Sequence, residues 1–331
     1  MPVISLSSGR SFEAGEGVSL LDAAGLAQVA MAYSCCNGRY SSCKCKVISG
    51  QSVALHPETG LTPEEKDAGW VLACVRTALS AMTLQVEDLG GVVLPQPKTL
   101  PCRIHGLVRL APDVMKVVLR LPPAAEFGFL PGQYVDVIGH GGVRRSYSLA
   151  AAGAADKTLE LHVRAVAGGS LSEYWFERAR PGDLLRMHGP LGTFFLRELA
   201  GLDLVFLATG TGIAPVKAML EGLAACAPEQ APRSVTTYWG GRTPEDLYWD
   251  PRAVATPQRY VPVLSRAGDG WVGARGHVQD VFMAEDPRLS RTVVHACGSQ
   301  AMTQSARAQL LRAGLPEHRF HADAFVCSAA L

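Results

Sequence analysis

The chain has 331 residues, 48% of them hydrophobic and 18% charged, and its 31 Lys and Arg nearly balance 30 Asp and Glu for a net charge of +1. That length allows two or three domains of roughly 100–150 residues, and the composition predicts a soluble globular protein with ample core. So small a net charge excludes the field that would gather nucleic acid or an anionic membrane; with no apolar run near the roughly 20 residues of a bilayer span and no leader pattern in residues 1–6, a cytosolic location is expected.

Residues 1–90 hold short strand-like runs at 3–6, 11–14 and 82–86, a helix pattern at 20–27, and a cysteine-rich loop. Of the nine cysteines, Cys35, Cys36, Cys43, Cys45 and Cys74 cluster here, while Cys102, Cys226, Cys297 and Cys327 stand apart. In a reducing compartment, clustered thiols point to metal or redox chemistry; Cys102 and Cys226 read as buried structural residues. Residues 91–101 read as a linker, because Pro95 and Pro97 keep the chain extended and block helix. From 102 to 198, period-2 patterns at 103–110, 114–121, 134–138, 143–148 and 159–163 are separated by Pro- and Gly-rich turns, which predicts an antiparallel barrel. From 199 to 331, apolar strands at 204–208, 235–239, 260–264 and 292–296 alternate with helical patterns at 214–225, 278–285 and 301–313. That alternation predicts a parallel sheet with crossover helices.

The apolar run 204–208 enters Thr209-Gly210-Thr211-Gly212-Ile213-Ala214-Pro215 and then a helix. Glycines let backbone approach a pyrophosphate, and a helix N-terminus offers free N–H groups and partial positive charge. Pro215 suits an early helical position. Alone the turn is weak evidence, since the third glycine of the dinucleotide fingerprint is absent. It has company: Pro131-Gly132-Gln133-Tyr134, then Arg145-Ser146-Tyr147-Ser148, Gly168-Gly169-Ser170-Leu171-Ser172, Gly189-Pro190-Leu191-Gly192-Thr193 and Cys297-Gly298-Ser299-Gln300-Ala301-Met302. Singly, Tyr147 would pass for a barrel aromatic and Cys297 for a small buried hydrophobe. In this order, over about residues 100–331, the set resembles the ferredoxin–NAD(P)+ reductase superfamily.

The resemblance implies FAD and a nicotinamide as cofactors. Arg145 would neutralise the FAD pyrophosphate with its forked guanidinium, Tyr147 would pack on the flavin, and Gly168, Gly169 and Ser172 would hold the same diphosphate. Ser148, near flavin N5, and Cys297, beside the nicotinamide, are the implied catalytic pair. Gly210, Thr211, Gly212 and Pro215 would carry the nicotinamide dinucleotide, with Gly298 admitting it and Met302 completing the motif. Arg242 would meet a 2′-phosphate, whereas Glu245 or Asp246 would accept from a ribose diol. Reductases of this type with an attached ferredoxin domain mostly use NADH, so NADH is expected and NADPH is the alternative.

The run Tyr33-Ser34-Cys35-Cys36-Asn37-Gly38-Arg39-Tyr40-Ser41-Ser42-Cys43-Lys44 resembles the cluster loop of plant-type ferredoxins, whose spacing is C-x4-C-x2-C with a distant fourth cysteine. The resemblance makes residues 1–90 an α+β ferredoxin-like β-grasp domain holding a [2Fe–2S] cluster through Cys35, Cys43 and Cys74. Its second ligand should be residue 40, and residue 40 is tyrosine. Cys36 or Cys45 could substitute, the Tyr40 phenolate could ligate as a hard oxygen donor, or the domain could lack a cluster. Hydride from a nicotinamide arrives as two electrons, an iron–sulfur cluster takes one, and flavin bridges the two. The order of domains is similar to that of CDP-6-deoxy-delta-3,4-glucoseen reductases and of the reductase components of multicomponent oxygenases, with residues 94–102 and the Phe320–Val326 tail favouring the former. The implied partner is an electron-accepting protein, a deoxysugar dehydrase or an oxygenase component. The other reading is a cluster-less NADH-dependent flavoprotein reductase whose N-terminal domain serves docking or structure.

Overall fold

A computed structural model describes residues 1–86, 89–153 and 156–325 of the chain; Val326 and Cys327 lie outside the described residues. The chain divides into two compact units, Met1–Pro95 and Gln96–Leu331.

The first unit is a five-stranded mixed sheet in the order Ser11–Glu13, Val3–Leu6, Met82–Gln85, Lys44–Ser49, Trp70–Leu72. Alternation in Val3–Leu6 buries Ile4 and Leu6, and the helix Leu20–Leu26 contributes Leu20, Leu21, Ala23 and Ala24 to the same core. Ser19 starts that helix by accepting from the Asp22 N–H at 3.0 Å. A second short helix, Pro63–Asp67, opens on a reciprocal cap between Thr62 and Glu65.

The second unit begins with an antiparallel sheet in the order Arg144–Ser148, Tyr134–Ile138, Leu184–Leu191, Lys98–Ala111, Val114–Arg120, Thr158–Arg164. A bridge between Leu149 and Leu161 joins the two ends of this sheet and closes it into a barrel. Val117, Leu119, Val135, Val137, Leu159 and Leu161 fill its interior. Lys98–Ala111 starts inside the stretch read as a linker. The pairing of residues 98–103 with Leu184–Gly189 carries the strand through Pro101, while Pro95 and Pro97 precede it.

Beyond residue 199 lies an all-parallel sheet in the order Ala274–Arg275, Arg259–Leu264, Ser234–Gly241, Asp203–Thr209, Thr292–Ser299, Phe320–Phe325. Leu204, Phe206 and Ala208 face a core with Val216, Leu220 and Trp239. Val205 and Leu207 face the opposite core, built on Phe282, Ala306 and Leu310. Burial on both faces makes residues 204–208 a continuous apolar run. Phe320–Phe325 escapes such a pattern search, since His321 and Asp323 interrupt it.

Candidate active site

The strand Asp203–Thr209 runs into the turn Gly210–Gly212 and the helix Ile213–Leu223. Pro215 is the third residue of that helix, where an N–H would have no partner within it. Gly212 lies directly against Cys297: an added Cβ would stand 2.2 Å from the Cys297 carbonyl oxygen. Gly298, at φ +133°, packs equally tightly on Thr209, whose Oγ1 accepts from the Ser299 N–H at 3.0 Å. The buried Trp239 fixes the turn from below, its Nε1 donating to the Gly210 carbonyl at 3.0 Å. The two nucleotide motifs therefore meet at the C-terminal edge of adjacent parallel strands, where open α/β sheets bind ligands.

Cys297 is fully buried and stands in register with Asp323 on the neighbouring strand. Burial, then the Asp323 charge, pushes the Cys297 thiol well above its ordinary value, and burial raises the Asp323 carboxyl to about 7. Sequence reasoning missed Asp323; the signal was a lone acid inside an otherwise apolar strand. The Met302 side chain packs in the core on the opposite face of the sheet from Cys297, and its N–H donates to Ser299 Oγ at 3.3 Å.

In the barrel, alternation along Arg144–Ser148 sends Arg144 and Ser146 toward Asp136, at 3.7 and 2.7 Å. Arg145 and Tyr147 take the other face. Tyr147 Oη accepts from Trp175 Nε1 at 3.1 Å, the rings meeting edge to face, and burial pushes the phenol up to about 12. Trp175 belongs to the turn Tyr174–Arg178, which continues the short helix Ser170–Glu173 out of Gly168 and Gly169. Ser172 Oγ accepts from the Val166 N–H at 2.7 Å and shapes that glycine turn, while an added Cβ at Gly168, φ +72°, would meet only open space. The Tyr147–Trp175 bond thus ties the strand Arg144–Ser148 to the helix that follows Gly168 and Gly169. Ser148 is buried at the end of its strand.

Arg164, also missed in the sequence, links barrel to nucleotide sheet. Its Nε donates to Asp113 at 2.7 Å and its Nη2 to Asp246 at 2.5 Å. Its guanidinium lies over the Gly210 turn, 2.5 Å from where a Cβ would be, and a cation there fits a diphosphate. Burial alone would raise the Asp246 carboxyl, but the Arg242 N–H at 2.8 Å and Arg164 outweigh it and hold the carboxyl low. Asp246 is therefore engaged, whereas Glu245 and most of the Arg242 side chain are exposed. His162 adds a second link, bonding Tyr248 Oη at 3.2 Å and Glu160 at 3.0 Å.

In the first unit, Cys43 Sγ donates to Cys74 Sγ at 3.2 Å. That bond holds the Cys43 thiol high and the Cys74 thiol low, and the Gly38 N–H also stabilises the Cys74 thiolate. Cys35, half-buried, is close enough for its charge to be felt at Cys43. Among the described residues no three His, Cys, Asp or Glu side chains converge as a mononuclear metal site requires. A binuclear [2Fe–2S] core needs two donors per iron, and Cys43 with Cys74 is such a pair. Three sulfurs and one phenol oxygen at the four spaced positions fit the group in number.

Three families match in succession: a 2Fe-2S iron-sulfur cluster binding domain over residues 3–79, an oxidoreductase FAD-binding domain over 101–196, and an oxidoreductase NAD-binding domain over 206–308. A CDP-6-deoxy-L-threo-D-glycero-4-hexulose-3-dehydrase reductase of Yersinia pestis is 40% identical over 97% of both chains. Reductase component 1 of a Comamonas terephthalate 1,2-dioxygenase is 32% identical over 96% of this chain and 95% of its own. The crystal structure of an Amycolatopsis cytochrome P450 reductase superposes with a TM-score of 0.80 at 32% identity, covering 99% of this chain and all of the other. The fold and sites define an iron–sulfur flavoprotein oxidoreductase that transfers electrons to a partner enzyme. The chain belongs to the family of ferredoxin-domain NAD(P)H reductases that includes the dehydrase reductases and the oxygenase reductase components. None of the helices among the described residues is long and apolar enough to cross a membrane.

Proposed function

We propose that the chain takes hydride from NADH onto FAD and delivers electrons singly, through its ferredoxin domain, to a deoxysugar dehydrase in the cytoplasm. The carrying observation is the junction of Gly212 with Cys297 beside Asp323, a rigid nucleotide seat held against the FAD barrel by Arg164. The flavin supplies the exchange between two-electron and one-electron chemistry when bound. Arg145, Tyr147, Gly168, Gly169 and Ser172 hold and orient it; Gly210, Thr211, Gly212, Pro215 and Gly298 seat the nicotinamide dinucleotide. Ser148 and Cys297 flank the approach of donor to acceptor, which must close to roughly 3–3.5 Å.

NADH is favoured because Asp246, whose carboxylate can accept from a ribose diol, lies 3.5 Å from Arg242 Nε and engages the cation read as meeting a 2′-phosphate. The dehydrase is favoured over an oxygenase by the 40% identity to dehydrase reductases against 32% to the terephthalate component. The test is anaerobic titration with NADH, then NADPH, followed by addition of a 4-keto-hexulose dehydrase with its sugar nucleotide. FAD bleaching by NADH and NADH-dependent formation of the deoxysugar support the reading. Bleaching without turnover by the dehydrase, but with turnover by an oxygenase component, would replace the partner.

A further inference from the structure

We infer that the iron–sulfur centre of this chain is held asymmetrically, one iron by Cys43 and Cys74 and the other by Cys35 and the phenolate oxygen of Tyr40. The inference rests on the reading of residues 3–79 as a [2Fe–2S] domain and deepens it. Two thiolates on one tetrahedral metal atom, each about 2.3 Å from it, lie about 3.8 Å apart. The 3.2 Å between Cys43 and Cys74 already approaches that spacing. Those two residues therefore share an iron and leave Cys35 with one donor to find.

Three side chains compete for that place. Cys36 is exposed, unlike the half-buried Cys35, and its backbone is left-handed, at φ +50°. Cys45 is fully buried in the strand Lys44–Ser49, opposite Val71, so moving it to the loop would break the ladder with Trp70–Leu72. Tyr40 alone occupies the loop position that the spacing reserves for a ligand, and its hydroxyl is shielded from solvent. The loop is pinned on both sides of it: an added Cβ on Gly60 would meet the Tyr40 carbonyl at 2.7 Å, and the Gly60 N–H donates to the Gly38 carbonyl at 2.8 Å.

On ligation the phenol O–H bond breaks, its proton leaves to solvent, and an iron(III)–oxygen bond forms with no change of oxidation state. A hard oxygen donor favours iron(III) over iron(II), so the centre is harder to reduce than an all-thiolate one.

The test uses the full chain, reconstituted anaerobically with iron and sulfide. Wild type is expected to take up iron and sulfide in [2Fe–2S] stoichiometry and to show tyrosinate ring modes in the resonance Raman spectrum. Tyr40→Phe should lose those modes and most of its iron while keeping its FAD and its circular dichroism. Tyr40→Cys should regain the iron with thiolate modes only, at a higher midpoint potential than wild type. A loaded wild type without tyrosinate modes would overturn the assignment. So would a wild type that takes up no iron where Tyr40→Cys does, or a Cys36→Ser or Cys45→Ser variant that loses iron as Tyr40→Phe should. NADH bleaching of FAD in the same samples reports the flavin reading separately, so its failure is distinguishable from that of the ligand assignment.

Discussion

Asp323 and Cys297 face each other across adjacent parallel strands, in register and both buried. The carboxyl is raised to about 7 by that burial, far above the roughly 3.9 of an unfolded aspartate. Between those values the unfolded chain has already lost the proton that the folded chain keeps. The stability this group confers is therefore complete below about pH 4 and is lost as pH rises to about 7. Asp323→Asn should remove that slope and, above pH 7, be more stable than wild type by a few kcal/mol, at about 1.4 kcal/mol per pKa unit. Melting temperatures of the two proteins from pH 5 to 8 check it. The rate of FAD bleaching by NADH should vary with pH near 7 in wild type and be flat in the variant.

The opposite sign applies to a pair of histidines in the same sheet. His295 is fully buried between Phe194 and Phe206 and stacks on His321 at 4.6 Å between ring centroids. Burial, together with mutual charge for His321, holds them at about 3 and about 2. Both stay neutral while the unfolded chain protonates below about 6.5. Their contribution is present above that pH and declines as pH falls toward about 3. His295→Phe keeps the ring packing and removes one titrating group. It should lose less stability than wild type between pH 6.5 and 5, measured by denaturant midpoint.

The strand at 204–208 was legible because burial on both faces of a parallel sheet demands an unbroken apolar run. The nucleotide turn was legible because its glycines follow such a run directly. Asp323 was not, since a buried acid looks like a surface residue until its strand is placed against Thr292–Ser299. Arg164 was hidden for a related reason: it ends a barrel strand, and both its acid partners, Asp113 and Asp246, are distant in sequence. The reach of the barrel strand to Lys98 was obscured by Pro95 and Pro97, which precede it and read as a linker; the pairing with Leu184–Leu191 carries the strand through Pro101.

Gly212 adopts ordinary helical angles, φ −59° and ψ −13°, so its need for glycine is purely one of space. Alanine there would drive a Cβ to within 2.2 Å of the Cys297 carbonyl oxygen, a backbone atom that cannot rotate aside. Overpacking of this kind costs about 1–3 kcal/mol, and the nicotinamide seat would shift. A displacement of about 1 Å slows reaction by about 100-fold. Gly212→Ala should therefore retain FAD, read from its absorbance, while anaerobic stopped-flow shows hydride transfer from NADH slowed by about that factor.

Arg145 is the reciprocal case, a residue expected to govern FAD and not NADH. It is half-buried on the barrel face that also carries Tyr147, and its Nη1 donates to the Arg144 carbonyl at 2.7 Å, which orients the guanidinium without neutralising it. A charge-assisted hydrogen bond is worth about 1.5–3 kcal/mol, or about 10- to 100-fold in affinity at 1.4 kcal/mol per decade. Arg145→Ala should therefore purify with substoichiometric FAD and bind added FAD more weakly by that range, measured by quenching of flavin fluorescence. Arg145→Lys should recover only part of the loss, because an ammonium keeps the charge but not the fork. Equal FAD affinity in all three proteins would place the pyrophosphate elsewhere on the barrel.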